Sequence, residues 1–432
     1  MEKTLQNLGV TELNEMQIEA IKSIEADGDT LLLSPTGSGK TLAFLLPLLK
    51  LLKPETGKVQ VIVLVPTREL SLQIESVWKK ISVEHKVNAF YGGHSMEVET
   101  NSLSEPPTLL VGTPGRIADH FTRRTFDGSE VHTLIFDEFD KSLEMGFQEQ
   151  MQYIFTNLPN VTKRIFVSAT QRIAIPDFVT VNKLTTLDYI EAKVLAQNIS
   201  FRYIRTQEKT KALVSLLGQI SASPTLIFCN LRDEVEELAN AMQKKGINSS
   251  IFHGKIEQME REKALIRFRN GSSRYLISTD LAARGLDIPE VEHVIHYALP
   301  HHEQEFVHRN GRTARMNATG TAYFFVDLKG NTPPYIKDLP KEFVIENNHL
   351  LPAAEEWDTV YFSGGKKDKI SKMDIVGFCI QKGKLEKDQI GKIEVKDFAS
   401  YVAIKNKAIP GFLKNIDNEK IKGRKMKIEL AR

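Results

Sequence analysis

The chain has 432 residues, which exceeds the usual size of one domain and predicts two or three domains. Hydrophobic residues make up 41% of it and charged residues 26%, and these values exclude a disordered or fibrous protein. The apolar runs are too short or too interrupted for a signal peptide or a membrane span, so we expect a folded cytoplasmic protein with no membrane partner. The two cysteines, Cys229 and Cys379, are too few for a disulfide framework or a zinc quartet, and we expect both to be buried thiols.

The charge is distributed unevenly along the chain. Residues 357–432 hold 18 Lys/Arg against 10 Asp/Glu, a net charge of +8, whereas residues 1–356 hold 39 against 45, a net charge of −6. A basic segment of this kind is typical of modules that bind polyanions, although a solvated lysine-rich surface gives the same count. On charge alone both interpretations stay open.

Short β-rich apolar runs alternate with helix-like stretches along most of the chain. The first series, between residues 30 and 190, is TLLLS, VQVIVLVP, TLLVGTP, TLIFDE and RIFVSAT; the second, from about residue 199, is FRYIRT, TLIFCN, YLISTD, HVIHYA and GTAYFFV. Such alternation predicts parallel sheets flanked by helices, and therefore two α/β domains in tandem. A proline-containing linker then leads to a tail with strand-like VYFSGG, SYVAI and MKIEL. The predicted domains are residues 1–190, 197–345 and 357–432.

The stretch TLLLSPTGSGKT joins an apolar strand to a turn of small residues and then to a helix-like segment. Small residues allow backbone N–H groups to surround phosphates at a helix N-terminus, where the helix dipole favours anions. Lys40 is expected to reach the β- and γ-phosphates, and the Thr41 hydroxyl is expected to ligate Mg²⁺. The predicted nucleotide-binding residues of this loop are Thr36, Gly37, Ser38, Gly39, Lys40 and Thr41.

The run VHTLIF ends in the sequence DEFD, which begins at Asp137. Mg²⁺ prefers hard oxygen ligands and keeps several waters, so Asp137 is expected to bind it through water. Glu138 is then placed to orient or deprotonate the attacking water. On a strand that continues past Asp137, side chains alternate between the two faces, so Phe139 is expected to fill space rather than to do chemistry. ATP and Mg²⁺ are the cofactors that these two motifs predict.

In order, the chain shows LGVTELNEMQ, SPTGSGKT, PTREL, YGG, TPGRI, DEFD, SAT, LIFCN, STDLAARGLD and HRNGRTAR, over roughly residues 8 to 315. This ordered set resembles the DEAD-box RNA helicases, which are RNA-dependent ATPases. The resemblance implies two RecA-like domains with ATP and RNA bound across their cleft. It further implies that Gln17 reads the adenine edge, that Asp287 contacts the ribose, and that Arg312 and Arg315 reach the γ-phosphate. Coupling of the ATP state to RNA is implied for Asp140, Ser168, Thr170 and His308.

The resemblance also implies contacts with the sugar-phosphate backbone of RNA, which carries no sequence information. The residues concerned are Thr67, Arg68, Gly93, Thr113, Gly115 and Arg116 in the first domain and Gln258, Arg261 and Thr279 in the second.

The segment around Gln17 departs most from the family pattern. Leu13, Asn14, Glu15 and Met16 replace the usual Pro-Thr-Pro-Ile, and the aromatic residue usual 17 positions before the glutamine has no counterpart in this sequence. We therefore expect weaker adenine discrimination, with Asn14 still able to cap the following helix. In the second domain Asn310 stands where the family has an apolar residue, and Ala314 where it has a glycine.

The tail resembles the RNA-binding domain of the DbpA/YxiN subgroup of these helicases, through GGKKDKIS, DIVG, IGKIEV, YVAI and KIKGRKMKIEL. That resemblance implies a small α+β, RRM-like domain that directs the helicase to structured large-subunit ribosomal RNA during ribosome assembly. Lys366, Lys367, Lys369, Lys422, Arg424 and Lys425 are expected to attract its phosphates. Tyr361, Phe362 and Tyr401 are expected to be core residues rather than RNA-stacking residues, because FASYVAI matches the RNA-stacking pattern of RRM domains poorly.

The function that the sequence predicts is local ATP-dependent unwinding of short RNA duplexes by a monomer. An ATP-gated RNA clamp, which closes without productive unwinding, would have nearly the same sequence and stays open as an alternative. A DNA helicase of the same superfamily is disfavoured by the full DEAD-box motif set.

Overall fold

Among the residues that the structure describes, two seven-stranded sheets, one four-stranded sheet and one two-stranded sheet form. The computed structural model describes all residues except 1, 36, 54–56, 94, 170–173, 191–198, 281–290, 314–318, 347–350, 418 and 432, and at 2 and 3 it describes the backbone alone. The described residues form two compact units: one contains the first sheet, and the other contains the second sheet together with the four-stranded sheet of the tail.

The first sheet is parallel throughout and has the order β3-β4-β2-β5-β6-β1-β7. Its strands are β1 Thr30–Leu33, β2 Val61–Leu64, β3 Val87–Phe90, β4 Leu109–Gly112, β5 Thr133–Phe136, β6 Lys163–Ser168 and β7 Thr185–Asp188. The helices are α1 Glu2–Leu8, α2 Glu15–Glu25, α3 Lys40–Leu51, α4 Arg68–Ile81, α5 Met96–Ser102, α6 Pro114–Thr122, α7 Phe139–Glu144 and α8 Gln148–Thr156. Separate apolar clusters cover the two faces of the sheet. Burial on both faces explains why its central strands read as continuous apolar runs.

The second sheet is also parallel, with the order β10-β11-β9-β12-β13-β8-β14. Its strands are β8 Ile199–Arg205, β9 Thr225–Cys229, β10 Ser249–Phe252, β11 Tyr275–Thr279, β12 His293–His296, β13 Gly320–Val326 and β14 Lys341–Glu342. The helices are α9 Lys209–Gln219, α10 Arg232–Lys244, α11 Gln258–Arg269 and α12 Glu303–Asn310.

The tail is an antiparallel sheet of order β16-β17-β15-β20 with two helices and a small hairpin. Its strands are β15 Trp357–Phe362, β16 Ile390–Val395, β17 Ser400–Lys405 and β20 Ile428–Leu430, the hairpin pairs β18 Lys420–Ile421 with β19 Arg424–Lys425, and the helices are α13 Lys372–Gln381 and α14 Ile409–Asn415. The predicted fold class, two RecA-like parallel-sheet domains followed by a small α+β domain, is confirmed. The domain limits stay predictions.

The predictions for Asn14 and for the two cysteines also hold. Asn14 caps α2 and shares a capping box with Gln17, because its side chain accepts from the Gln17 N–H and the Gln17 side chain accepts from the Asn14 N–H. Ser371 and Asp374 form the same arrangement at the start of α13. Both cysteines are buried, and burial raises the pKa of each thiol to about 12, so neither thiol is reactive at neutral pH. Within the described ranges, no helix is long and apolar enough to cross a bilayer.

Candidate ATP and RNA sites

The predicted phosphate loop lies between β1 and α3 and is held together by its own polar groups. Ser34 Oγ lies 2.7 Å from Ser38 Oγ, which in turn donates to the Pro35 carbonyl at 2.8 Å. Ser34, which stands at the first glycine position of the usual motif, therefore stabilises the turn. The Lys40 ammonium donates to the Ser34 carbonyl at 2.6 Å and to the Pro35 carbonyl at 3.3 Å, so a nucleotide phosphate would have to compete with these carbonyls for it.

The N-terminus of α2 is hydrogen-bonded to the phosphate loop. Gln17 Nε2 donates to the Gly39 carbonyl at 3.1 Å, and Asn14 Nδ2 donates to the Ser38 carbonyl at 3.1 Å. Gly39 has a φ of 87°, and a Cβ at that position would collide with the Gln17 amide, so only glycine fits there. Of the predicted loop residues, Gly37, Ser38, Gly39, Lys40 and Thr41 have described positions and Thr36 lies outside the described residues. The role of Gln17 at the adenine edge stays a prediction.

The DEFD segment turns sharply at Glu138. Strand β5 ends at Phe136, Glu138 has a φ of 46° in the left-handed region, and α7 begins at Phe139. The expectation of a strand continuing past Asp137 is therefore wrong, because the backbone leaves the sheet at that residue. A non-glycine residue in this conformation is strained, and strain of this kind is often found at functional sites.

Asp137 is held at the end of β5 by the hydrogen bond from its N–H to the Leu64 carbonyl, and its side chain is only 4% exposed. Burial raises the pKa of Asp137 to about 7, and the neighbouring charge of Glu138 adds to the effect, whereas the charge of Lys40 opposes it. The positive charge of Lys40 therefore compensates the buried carboxylate only in part.

A hydrated Mg²⁺ fits that environment. A dication would stabilise the charged form of Asp137, and hard carboxylate and hydroxyl oxygens are the ligands that Mg²⁺ prefers. Among the described residues, no group of three or more His, Cys, Asp or Glu could hold a metal alone. Asp137 and Thr41 are the protein groups that would hold the ion beside the nucleotide phosphates.

Phe139 packs in the apolar layer below the site. It is 2% exposed, and its ring lies against Phe136 and Phe166, with centroid distances of 6.4 and 5.6 Å. The left-handed turn at Glu138 directs the chain so that this ring enters the core. The expectation that Phe139 fills space is therefore confirmed, although a turn achieves this rather than strand alternation.

The predicted coupling residues are only partly described. Asp140 is buried, burial raises its pKa, and Lys141 Nζ lies 4.0 Å from its carboxylate. Ser168 ends β6, and its carbonyl accepts from the Ser34 N–H at 3.0 Å, which connects the SAT segment to the phosphate loop. Thr170 lies outside the described residues, and its coupling role stays a prediction.

In the first domain the predicted RNA residues follow the carboxyl ends of three neighbouring strands, β2, β3 and β4. The carboxyl edge of a parallel sheet is where ligands usually bind. Arg68 Cζ lies 4.4 Å from the centroid of the Tyr91 ring, and Gly93 has a φ of 81°. Thr67 and Thr113 precede α4 and α6 as N-caps, and Gly115 has open space where a side chain would be. The sheet thus places this set at one edge.

The side chain of Arg116 is held by the buried carboxylate of Glu99. The sequence did not indicate this contact. Glu99 on α5 is 3% exposed and accepts from Arg116 Nε at 2.6 Å, while His120 Nε2 lies 2.8 Å from the same oxygen. His120 stacks on Phe90 with ring centroids 4.4 Å apart. Glu99 therefore fixes the orientation of the Arg116 guanidinium. Glu99 lies in the stretch MEVETNS, which has no distinguishing pattern, so no sequence signal could have found it.

In the second domain, Arg312 follows α12 and is 5% exposed, and His308 lies within that helix. Asp287 and Arg315 lie outside the described residues. Sequence reasoning missed Arg309, which is 1% exposed and whose Nε and Nη2 donate to the two Asp280 oxygens at 2.6 and 2.5 Å. This ion pair joins the HRNGRTAR helix to the segment after β11.

The polar residue at position 310 has a buried partner. Asn310 Oδ1 lies 2.9 Å from Nε2 of His296, which is fully buried at the end of β12. Burial lowers the pKa of His296 to about 3, and the positive charge of Arg309 acts in the same direction. A neutral imidazole that donates through Nε2 satisfies the amide oxygen, so the departure from an apolar residue is compensated.

The RNA residues predicted in the second domain lie on two elements, α11 and β11. Gln258 is the first residue of α11, Arg261 lies one turn later with its Cζ 5.9 Å from the centroid of the Phe252 ring, and Thr279 ends β11.

The six basic residues predicted in the tail lie on two adjacent segments, which we call the basic face. Lys366 and Lys367 lie in a short 3₁₀ turn followed by Lys369, and Lys422, Arg424 and Lys425 lie in the β18–β19 hairpin. The segments are joined because Lys422 Nζ donates to the Lys369 carbonyl at 2.9 Å and Arg424 pairs with Asp368 at 3.1 Å. All six cations are exposed. The fold therefore gathers them on one surface.

The tail aromatics divide between the two faces of the sheet. Phe362 is in the core of the tail with the helices, as expected. Tyr401 is 2% exposed, but it lies on the opposite face in a cluster with Ile266 of α11, with Tyr361 packed against that cluster. Tyr401 is therefore a core residue, as expected, in a cluster shared with the second domain, and the half-buried Tyr361 packs against that cluster.

Comparison with known proteins agrees with these features. Residues 14–177 match the DEAD/DEAH box helicase family, residues 208–317 the helicase conserved C-terminal domain, and residues 359–430 the DbpA RNA binding domain. The chain is 31% identical to the ATP-dependent RNA helicase DbpA of Bacillus subtilis, over 99% of this chain and 97% of that protein. It is 30% identical to DbpA of Escherichia coli, over 99% of this chain and 96% of that protein.

A solved structure of Saccharomyces cerevisiae Dbp5 bound to RNA and ADP BeF3 is also similar. It aligns with a TM-score of 0.67 at 26% identity, over 75% of this chain and 86% of that one. The alignment is consistent with the two-domain helicase fold described above. The chain belongs to the DEAD-box ATP-dependent RNA helicases of the DbpA type, and it is an RNA-dependent ATPase.

Proposed function

We propose that this helicase acts on structured large-subunit ribosomal RNA during ribosome assembly, as a cytoplasmic monomer that separates short duplexes locally. The observation that carries the proposal is the exposed basic face of the tail, in a domain that matches the DbpA RNA binding domain. A compact group of six cations attracts phosphates strongly, and binding by it should weaken steeply with salt.

In the proposed mechanism, ATP binds at the phosphate loop with Lys40 on its terminal phosphates. Glu138 orients or deprotonates the attacking water, and bound Mg²⁺ supplies charge neutralisation at the phosphates. Arg312 and Arg315 approach from the second domain, so hydrolysis requires closure of the two helicase domains. Closure on one RNA strand distorts the duplex, and hydrolysis releases the strand. The strained left-handed Glu138 and the buried Asp137 beside it support these roles.

The targeting proposal is tested in the full chain with Lys366→Gln and Lys367→Gln combined. The expected result is at least tenfold weaker binding to a large-subunit ribosomal RNA fragment, with the salt slope reduced by about 1.4 to 1.8 for two lost phosphate contacts. Lys407→Gln combined with Lys414→Gln is the matched control, because both lysines are exposed and lie outside the basic face. Equal binding by the two double variants contradicts the proposal.

A strand-displacement assay separates unwinding from clamping. ATP-dependent release of a short RNA duplex beside the ribosomal fragment is expected from a helicase. Retention of both strands, stabilised by ATP without release, would instead identify a clamp.

A further inference from the structure

The turn between β16 and β17 of the tail carries an exposed aromatic ring. Phe398 is 69% exposed, and it is the most exposed of all the aromatic side chains of the protein. Phenylalanine has no polar group for water to solvate, so this exposure leaves apolar surface uncovered. Single apolar side chains are common on protein surfaces, and the surroundings of the ring therefore decide what it can bind.

The β16–β17 turn is hydrogen-bonded to the segment that carries the first lysines of the basic face. The N–H of Lys366 donates to the Lys396 carbonyl, and the N–H of Lys367 donates to the Asp397 carbonyl, both at 2.8 Å. Phe398 is the next residue after this second acceptor. The side chains of Lys366 and Lys367 are exposed. The fold therefore places the exposed ring beside ammonium groups of the basic face.

The backbone below the ring is held in one position. The Lys396 N–H donates to the Ala399 carbonyl at 2.8 Å and closes the turn, and the buried Ser400 hydroxyl donates to the Gly364 carbonyl at 2.7 Å. A Cβ on Gly365 would collide with carbonyl oxygens of the turn, so the two segments approach as closely as a glycine allows. A ring on such a fixed backbone loses little conformational entropy when a ligand stacks on it.

Two lysines of the basic face have a strained backbone. Lys369 has a φ of 62° and Lys422 a φ of 49°, both in the left-handed region that favours glycine. A lysine at such a position costs backbone strain and supplies a charge that glycine would not supply. Strain of this kind is often found at functional sites. The strain at Lys369 and Lys422 therefore supports a binding role for the surface beside Phe398.

The combination of cations with one exposed ring fits RNA that has an unpaired base. Ammonium groups attract the phosphates of any nucleic acid, whereas an aromatic ring stacks on the face of a base. In a continuous duplex the bases cover one another, and only a base in a loop or bulge can turn outward onto a protein ring. The exposed carboxylate of Asp397 repels phosphates but can accept hydrogen bonds from the amino group of a base. The tip of the turn therefore suits a base better than a phosphate.

We propose that Phe398 is a base-stacking residue, which binds one unpaired nucleotide of the RNA whose phosphates lie on the basic face. Stacking on Phe398 then distinguishes RNA with a loop or bulge from a continuous duplex. This inference rests on the proposed function, because it assigns a recognition residue to the same targeting surface. Phe398 acts in binding and takes no part in ATP hydrolysis.

The test on the protein side uses the full chain with Phe398→Ala, Phe398→Leu and Phe398→Trp. Binding to a hairpin from large-subunit ribosomal RNA should weaken about tenfold in Phe398→Ala, which is the cost of one lost base stack, with an unchanged salt slope. Phe398→Leu should weaken binding nearly as much, because it keeps apolar area but has no ring, and Phe398→Trp should bind within about twofold of the unaltered protein. Val344→Ala is the control, because Val344 is 76% exposed and lies outside the tail. Unchanged binding by Phe398→Ala or by Phe398→Leu overturns the stacking.

The test on the RNA side replaces the loop nucleotides of the hairpin one at a time with abasic sites. At one position the abasic site should weaken binding by the unaltered protein about as much as Phe398→Ala does, and the two changes together should cost no more than either alone. A fully paired duplex of the same length should bind Phe398→Ala and the unaltered protein within about twofold. Costs that add at every loop position overturn the stacking. If the unaltered protein binds an unrelated hairpin as tightly as the ribosomal one, the targeting proposal fails, while the comparison of looped with paired RNA still decides the stacking.

Discussion

Replacing Phe139 with alanine tests whether the third position of DEFD serves packing or chemistry. The ring is 2% exposed and lies edge-on to both Phe136 and Phe166, so its removal leaves a cavity lined by aromatic rings. Truncation of a buried phenylalanine costs about 3–5 kcal/mol. The free energy of unfolding of a domain of this size is usually about 5–15 kcal/mol, so the variant should stay folded at 25 °C.

The thermal unfolding of the first domain alone can be followed by tryptophan fluorescence. The chain has two tryptophans, and Trp78 is fully buried in the first domain, so a Trp357→Phe background makes its fluorescence a specific reporter. For a domain of about 190 residues each kcal/mol shifts the melting temperature by about 2–4 °C, which predicts a decrease of roughly 6–20 °C. Phe166→Ala should lower the melting temperature by a similar amount. Phe139→Leu should lower the free energy of unfolding by less than about 1.5 kcal/mol.

The catalytic part of the prediction is that Phe139→Ala keeps its RNA-stimulated kcat within about threefold at 15 °C. The carboxylate of Asp137 is positioned by the end of β5 and by the hydrogen bond from its N–H to Leu64, neither of which involves the Phe139 ring. A variant that melts at the unaltered temperature but has lost its ATPase activity would refute this reasoning. In that case Phe139 would have to act on the chemistry directly.

Three further outcomes are expected. His296 is neutral in the folded protein because burial lowers its pKa to about 3, so the second domain should lose stability as the pH falls below about 6.5, where the unfolded chain binds a proton that the folded protein does not. The His296→Gln variant should lack this dependence in urea unfolding. Gln17→Ala should raise the KM for ATP about tenfold, since it removes the side chain that accepts from the Asn14 N–H in the capping box and that donates to the phosphate loop. Glu99→Gln should weaken the support of Arg116 and raise the KM for RNA about fivefold, with the KM for ATP unchanged.

Most strands found from the sequence lie inside the two parallel sheets, although MKIEL also marked the edge strand β20 of the tail. Strand β2 is buried at every residue and reads as an uninterrupted apolar run, whereas β3 contains half-buried residues and β7 is largely exposed, so both escaped prediction. The two-residue β14 is too short for any periodicity. Central strands are therefore predictable from hydrophobicity, while edge strands depend on neighbours that are distant in sequence.

Polar partners inside the domains could not be predicted for a similar reason. Asn310 looked like a departure from an apolar position, and its partner His296 lies within a strand-like run that gives no sign of a buried imidazole. Glu99 and Arg116 lie on different helices and meet only when α5 and α6 pack beside β4. A hydrogen-bond partner is set by the fold, and a single sequence reports only the residue types.

The second face of the tail sheet, which carries Tyr361 and Tyr401 and is covered by α11, in contrast left a signal in the sequence of the tail. Strand β17 is buried at every position from Ser400 to Ile404. An antiparallel sheet with one face in water would alternate apolar with polar residues, but the run SYVAI has no charged residue at any position. Helices of the tail can cover only one face of a single sheet, so continuous burial requires a second covering element. In this chain that element is α11, and the same argument predicts that a tail expressed without the second helicase domain will expose Tyr361 and Tyr401 and will associate with itself.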